Sequence, residues 1–381
     1  MDLELDDDQR LFQETTRQFL GSEVPISEVR RLAGEPAGFE RKWWLNAAEL
    51  GWTSLLVGED NHGGSLSGNG LADLAIVAEE FGRAVAPGPL LGCNLVAYAL
   101  DAATQAGDRS HDDDLKAILA GEMVASWAFL DAGGSWDPRS PALAAERDSG
   151  DFVLSGRKLK VEFGEQADAF LVTAATAAGP TQFLVPAAAA GVRIEPLQAL
   201  DLVRRYADIV LSQVRVPRDA VVGEIGGAGP AIEGLLWHLL VLQCAEMAGA
   251  ADRVFAMTTE YAAARYSFGR PLTSYQALKH RFADMKTALE ASHAITTGAA
   301  AAVGTRAAEA DRLASAAKAY VADRATEIIQ DCVQMHGGIG VTWEHDIHLY
   351  LRRVTTDRSL AGTPREHLRH LGDLTTSREG R

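Results

Sequence analysis

Three features in the C-terminal half of the chain have the residue types that hold a phosphate. Arg265 stands just before the turn Phe268-Gly269-Arg270-Pro271, a helix opens after it around Ser274-Tyr275-Gln276, and a later helix stops at Gln334-Met-His336-Gly337-Gly338. A guanidinium forks onto phosphate oxygens, a helix N-terminus presents unpaired N–H groups, and glycines let the backbone approach a ligand closely. Singly, each has an ordinary meaning: an arginine before a turn is usually a surface residue, and paired glycines after a helix are usually a C-cap.

Proton abstraction needs a carboxylate or imidazole held beside the reacting carbon. Glu162, Glu233, His238, Glu246, His336 and Glu366 are residues of the right type, and no spacing among them marks a site. Each therefore reads first as a solvated or helix-packing side chain. The three cysteines, Cys93, Cys244 and Cys332, lie apart in apolar helical patterns without metal-ligand spacing, which suits a reducing, cytoplasmic setting. No metal is expected.

The 381 residues carry 36 basic and 52 acidic side chains, a net charge of −16, which argues against nucleic acid or an anionic membrane surface as partner. An acidic start, Met-Asp-Leu-Glu-Leu-Asp-Asp-Asp, is unlike a targeting peptide, and no run of about 18 apolar residues suggests a membrane span.

The elements that must position these groups fall into three stretches. From Asp6 to about Leu119 the apolar period is helical, with Leu11, Phe12, Thr15, Phe19 and Leu20 on one face, Trp43, Trp44, Ala47 and Leu50 on another, and Leu71, Leu74, Ala78 and Phe81 on a third. Short β-rich runs follow, among them Val124–Phe129, Phe152–Leu154, Ala169–Thr173, Gln182–Val185 and Ile209–Leu211, as expected of a small β barrel or sandwich. Helix resumes at Gly229-Pro230, again at Ser274, whose hydroxyl can cap it, and from about Glu309 to Met335. The expected architecture is α+β, with a helical domain at 1–120, a β domain at 121–225 and a helical domain at 226–381. The tail after Leu374 reads as frayed.

This order, together with the Arg265–Leu272, Ser274–Gln276 and Gln334–Gly340 motifs, resembles the acyl-CoA dehydrogenase family across essentially the whole chain. Trp343-Glu344-His345-Asp346 and Arg352-Arg353 also match. The resemblance implies an N-terminal helical bundle, a β domain and a C-terminal four-helix bundle, with FAD as cofactor shared across a subunit interface. Arg265 and Phe268 would meet the pyrophosphate and adenine half of a flavin held by the neighbour, Gln276 would assist, and Gln334, Gly337 and Gly338 would line the passage of its tail.

Other family motifs are altered. The family's glutamate in a Tyr-Glu-Gly-Thr loop is replaced in Leu360-Ala361-Gly362-Thr363, and the alternative base position, on the helix before Arg265, is Leu239. Leu240 stands where an arginine commonly serves CoA. The first flavin-lining stretch reads Leu130-Asp131-Ala132-Gly-Gly-Ser135-Trp136-Asp137, and the second, typically Trp-Ile-Thr, reads Lys160-Val161-Glu162. The resemblance therefore implies no catalytic residue in this chain. It points to the base-lacking subunit of a heterotetramer, paired with a paralogous subunit that binds most of the acyl-CoA, with electron-transfer flavoprotein as acceptor. A bulky, steroid-derived acyl group fits that profile. The alternatives are a homotetrameric dehydrogenase with an unusual base, for which Glu246 is the first choice, or a flavin oxygenase or scaffold on the same fold.

Overall fold

The computed structural model describes residues 4–133 and 136–379. Ser135, within the first altered stretch, lies outside the described residues, as do the first three.

Six helices come first: α1 (Asp7–Glu23), α2 (Ile26–Ala33), α3 (Arg41–Glu49), α4 (Gly70–Ala84), α5 (Leu90–Gln105) and α6 (Asp112–Leu119). A capping box starts α1, with Asp6 accepting from the Gln9 N–H at 2.8 Å and Gln9 accepting from the Asp6 N–H at 3.2 Å. Leu20, Trp43, Trp44, Leu71, Leu74 and Phe81 are buried as their spacing predicts. Leu11 is not: it is 67% exposed, because α1 is an outer helix whose inward stripe is narrower than its apolar residues suggest.

The strands are β1 (Ala125–Ala128), β2 (Ala144–Asp148), β3 (Asp151–Glu162), β4 (Ala169–Thr176), β5 (Gly179–Pro186), β6 (Val192–Leu197), β7 (Tyr206–Val216) and β8 (Val221–Val222). They form one mixed sheet in the order β6-β7-β3-β2-β4-β5-β8, with β1 paired in parallel to β4. The end strands β6 and β8 do not pair, so of the expected barrel or sandwich the sheet is not a closed barrel. Strand β2 escaped the sequence reading because its alternation, Ala-Ala-Glu-Arg-Asp, buries only one side chain. At a register shift between Lys158 and Val161, Lys160 takes φ +52°.

Then come α7 (Gly229–Ala264), the hairpin strands β9 (Tyr266–Ser267) and β10 (Arg270–Pro271), α8 (Gln276–Gly304), α9 (Ala310–His336), α10 (Ile347–Ser359) and α11 (Pro364–Glu379). Ser274 does not cap α8. It sits in a 3-10 turn, its hydroxyl donates to Pro271 O at 2.7 Å, and Tyr275 takes the cap position without a side-chain bond. The tail is helical as far as Glu379 rather than frayed.

Helix α7 is long and apolar enough to cross a membrane by length and composition, but its most apolar 18-residue window is 94% buried inside the protein, as in a core helix. Its crossing with α4 is close. A Cβ on Gly82 would lie 1.9 Å from Glu246 O, and one on Gly249 would lie 2.0 Å from Glu79 O, so backbone meets backbone and Glu246 is carried deep into the core.

Candidate functional site

At one end of the C-terminal helices the phosphate-type motifs converge. Tyr261 stacks on His336 with ring centroids 4.5 Å apart and donates to its carbonyl at 3.3 Å, which joins the last turn of α7 to the last turn of α9. The start of α8 lies against the same end of α9 through the Arg281–Asp331 ion pair and the Cys332–Met285 contact. The hairpin after Arg265 is braced by Tyr275, whose hydroxyl donates to Ser267 O at 2.6 Å and whose ring lies 3.9 Å beneath the Arg270 guanidinium.

Arg265, Phe268, Gln276, Gln334, Gly337 and Gly338 are therefore brought to one surface, and all six are exposed, Phe268 at 98%. Among the described residues the Arg265 side chain has no hydrogen bond or ion pair. Gly337 has φ +66°, a conformation that favours glycine on its own account. Gly338 does not, and a Cβ there would meet nothing within 4 Å. Nothing within this chain requires glycine at 338. Tyr266, Ile339 and Val341 add exposed apolar surface around the cluster.

The two positions where the resemblance expects a base, Leu239 on α7 and Ala361 after α10, line one and the same cavity of about 50 Å³, with Gly92, Leu95, Trp127, Phe129, Lys160, Glu162 and Tyr206. Ala361 is held at φ +52°, and the His367 ring donates through Nε2 to its carbonyl at 2.9 Å. Of the six candidate bases, only Glu162 reaches this cavity. Its Oε1 lies 3.2 Å from Arg204 Nε, and burial pushes its carboxyl above the usual range.

The remaining five are employed elsewhere. Both oxygens of Glu246 are taken, one by Arg204 and one by Arg353. Glu233 pairs with Arg139 at 3.3 Å, and Glu366 caps α11 by accepting from the Thr363 N–H at 2.7 Å. His336 is buried, with Nδ1 bonded to Cys332 O at 2.9 Å. His238 lines a different cavity.

Sequence reasoning missed the charge cluster around Glu246. Arg204 also donates to Asp357 at 2.9 Å, Arg353 to Asp201, and Lys318 to Gln243 at 2.6 Å and to the Asp357 carbonyl. The cluster ties the loop between β6 and β7 to α7, α9 and α10. Arg204, Lys318 and Arg353 face Glu162, Asp201, Glu246 and Asp357, one carboxylate more than there are cations. Burial pushes Asp357 up to about 7, and one of its oxygens has no hydrogen-bond partner. Burial also pushes Lys318 down to about 8, while the surplus of carboxylates keeps Arg204 firmly charged. Asp131, in the first altered stretch, is likewise structural: it accepts from the buried Lys158 at 2.6 Å and from the Ala142 N–H at 2.8 Å.

Two family models match the chain, the acyl-CoA dehydrogenase N-terminal domain over residues 6–110 and the C-terminal domain over 230–373. The chain is 31% identical over 367 residues to the acyl-CoA dehydrogenase IpdE2 of Mycobacterium tuberculosis, covering 96% of each. The chain belongs to the acyl-CoA dehydrogenase family. Its fold is also that of the ChsE4-ChsE5 complex from Mycobacterium tuberculosis, with TM-score 0.87, 25% identity and 99% of each chain covered. A structure of the Tcur3481-Tcur3483 steroid ACAD superposes at TM-score 0.88, with 26% identity and 98% and 99% covered.

Set against the FAD that the family resemblance implies, the chain offers a clear fit at the tail end, while at the ring end its flavin-lining motifs are altered. The Arg265 surface offers a free guanidinium and open space over Gly338. The cavity beside Glu162 is by itself too small for an isoalloxazine ring, and it shares Lys160, Tyr206 and Leu360 with a larger cavity of about 340 Å³.

Proposed function

We propose that this member of the acyl-CoA dehydrogenase family is the base-lacking subunit of a heteromeric, FAD-dependent enzyme that α,β-dehydrogenates an acyl-CoA thioester. The observation that carries the reading is the meeting of Leu239 and Ala361 in one small cavity, where Glu162, the one carboxylate among the lining residues, lies 3.2 Å from the Arg204 guanidinium. A methyl and an isobutyl group accept no proton.

The FAD, when bound, supplies hydride acceptance, and this chain's residues serve its far end. Arg265 binds the pyrophosphate by a charge-assisted fork, Phe268 covers the adenine, Gln276 and Gln334 hydrogen-bond along the tail, and Gly337 and Gly338 leave the path clear. The exposed Tyr266, Ile339 and Val341 are covered by the paralogous subunit that brings the ring seat, the base and most of the acyl-CoA site. The three stretches 1–120, 121–225 and 226–381 act as its domains. The naming of one similar structure as a steroid ACAD supports a bulky, steroid-type acyl group, and electron-transfer flavoprotein is the acceptor.

Expression of the chain alone and together with its paralogous partner tests this. The lone chain is expected to be colourless and inactive, and the complex yellow, with one FAD per pair of unlike chains and acyl-CoA-dependent dye reduction. A lone chain that carries one FAD and oxidises acyl-CoA would refute it.

A further inference from the structure

A second cavity, of about 270 Å³, lies where the loop after α3 and the helices α4, α5, α7 and α8 meet, and nothing in the proposed function uses it. We propose that it is a binding site for a small carboxylate that also carries a hydrogen-bond donor, of the kind found in a short hydroxy acid.

The donor is called for by His238. This ring is 4% exposed, and its Nδ1 donates to Gly234 O at 2.7 Å, so Nε2 is left as a bare acceptor. Burial holds the ring neutral, and among the described residues Nε2 has no partner. The Nε2 atom keeps some access to solvent beside the cavity that the ring lines, so a donor on an occupant can reach it.

The carboxylate is called for by Arg306 and Tyr98. Tyr98 packs on His238 with centroids 4.2 Å apart, and its hydroxyl oxygen accepts from Arg306 Nη2 at 3.4 Å, which leaves the O–H free to donate. Arg306 has no carboxylate partner among the described residues, although the chain carries a surplus of acids. It is also held at φ +51°, a backbone conformation that costs energy for a residue with a Cβ. A planar guanidinium beside a hydroxyl matches the two oxygens of a carboxylate. Two acids line the wall: Glu59 is exposed to solvent, and Asp101 is occupied in holding the loop after α3 to α5, accepting from the Gly58 N–H at 3.2 Å, Asn61 at 2.6 Å and Gln105 at 2.7 Å.

The volume is roughly twice that of an engineered cavity that takes up benzene, which limits the ligand to about ten heavy atoms. The site backs onto the small cavity through the same two helices: Tyr98 follows Leu95 by one turn of α5, and His238 precedes Leu239 on α7. Its occupancy is independent of whether the chain has a base.

Saturation-transfer NMR and calorimetry on the full chain, with 3-hydroxybutyrate, butyrate and 1,3-butanediol as probes, test the proposal. Binding of 3-hydroxybutyrate is expected, with butyrate about tenfold weaker for want of the donor and the diol not detected for want of the charge. Arg306→Gln, at an exposed position, should abolish binding with the thermal midpoint unchanged. His238→Phe should bring 3-hydroxybutyrate down to the level of butyrate. The proposal is overturned if 3-hydroxybutyrate does not bind, if the three probes bind alike, or if Arg306→Gln binds as the parent does.

Discussion

Replacing Glu246 by alanine separates the two roles a buried glutamate on α7 can have. The side chain is fully buried and bonds two guanidiniums, those of Arg204 and Arg353. Its removal leaves two buried cations short of a counter-charge, and losing one partner of such a pair costs about 3–5 kcal/mol. Set against a folding stability of about 5–15 kcal/mol, that is a large fraction. Glu246→Gln, which keeps the volume and one acceptor oxygen, should cost less. The assay is urea unfolding of the lone chain followed by circular dichroism, beside turnover per bound FAD in the assembled complex. A structural glutamate predicts the stability loss with turnover per flavin little changed among the folded molecules. If instead stability moves by less than about 0.5 kcal/mol and turnover falls by about 10²-fold or more, Glu246 is the proton acceptor and the account of the cluster given above is wrong.

Two further outcomes follow from the same geometry. Arg265→Ala should leave the stability of the lone chain within about 0.5 kcal/mol, since among the described residues the exposed side chain makes no hydrogen bond or ion pair, yet weaken FAD retention in the complex by about 10- to 100-fold, read as flavin fluorescence released on dialysis; undiminished retention would exclude a contact to the tail. The Asp357 carboxyl, pushed up to about 7 from the ordinary 3.8, binds a proton in the folded chain that the unfolded chain has released, so its contribution is full below pH 3.8 and disappears as pH rises through 7. Calorimetric midpoints of the parent should therefore carry a downward slope between about pH 4 and 7 that Asp357→Asn lacks, whereas identical slopes would place the titration elsewhere. Lys318, pushed down to about 8, acts in the other direction: its contribution is present above pH 10.5 and is lost as pH falls through 8, and Asp357→Asn should not remove that limb.

Local pattern was legible where a residue's role depends on near neighbours. The apolar period of Leu71, Leu74, Ala78 and Phe81 marked a buried helix face, and Pro230 marked the start of α7, because both signals act within one or two turns. Leu11 misled, since a helix cannot tell from its own sequence how wide a face its neighbours will cover. Ser274 misled for a related reason: the turn preceding α8 uses its hydroxyl to close on Pro271. The choice between barrel and sandwich stayed open in the sequence because closure depends on whether β6 pairs with β8, strands separated in the chain by β7 and its flanking loops.

By itself the sequence determined that this is an acyl-CoA dehydrogenase-type chain, that its Arg265, Gly337 and Gly338 motifs persist, and that alanine and leucine stand where the family's relatives carry a base. Only the tertiary structure decided that Leu239 and Ala361, more than a hundred residues apart, share one small cavity, that Glu246 is locked between two arginines, and that Gly338 answers to nothing inside the chain. Motif and periodicity are written in adjacent residues. Which buried charge neutralises which, and how much room a cavity keeps, depends on contacts between distant segments that exist only after α4, α7, α10 and the sheet have packed.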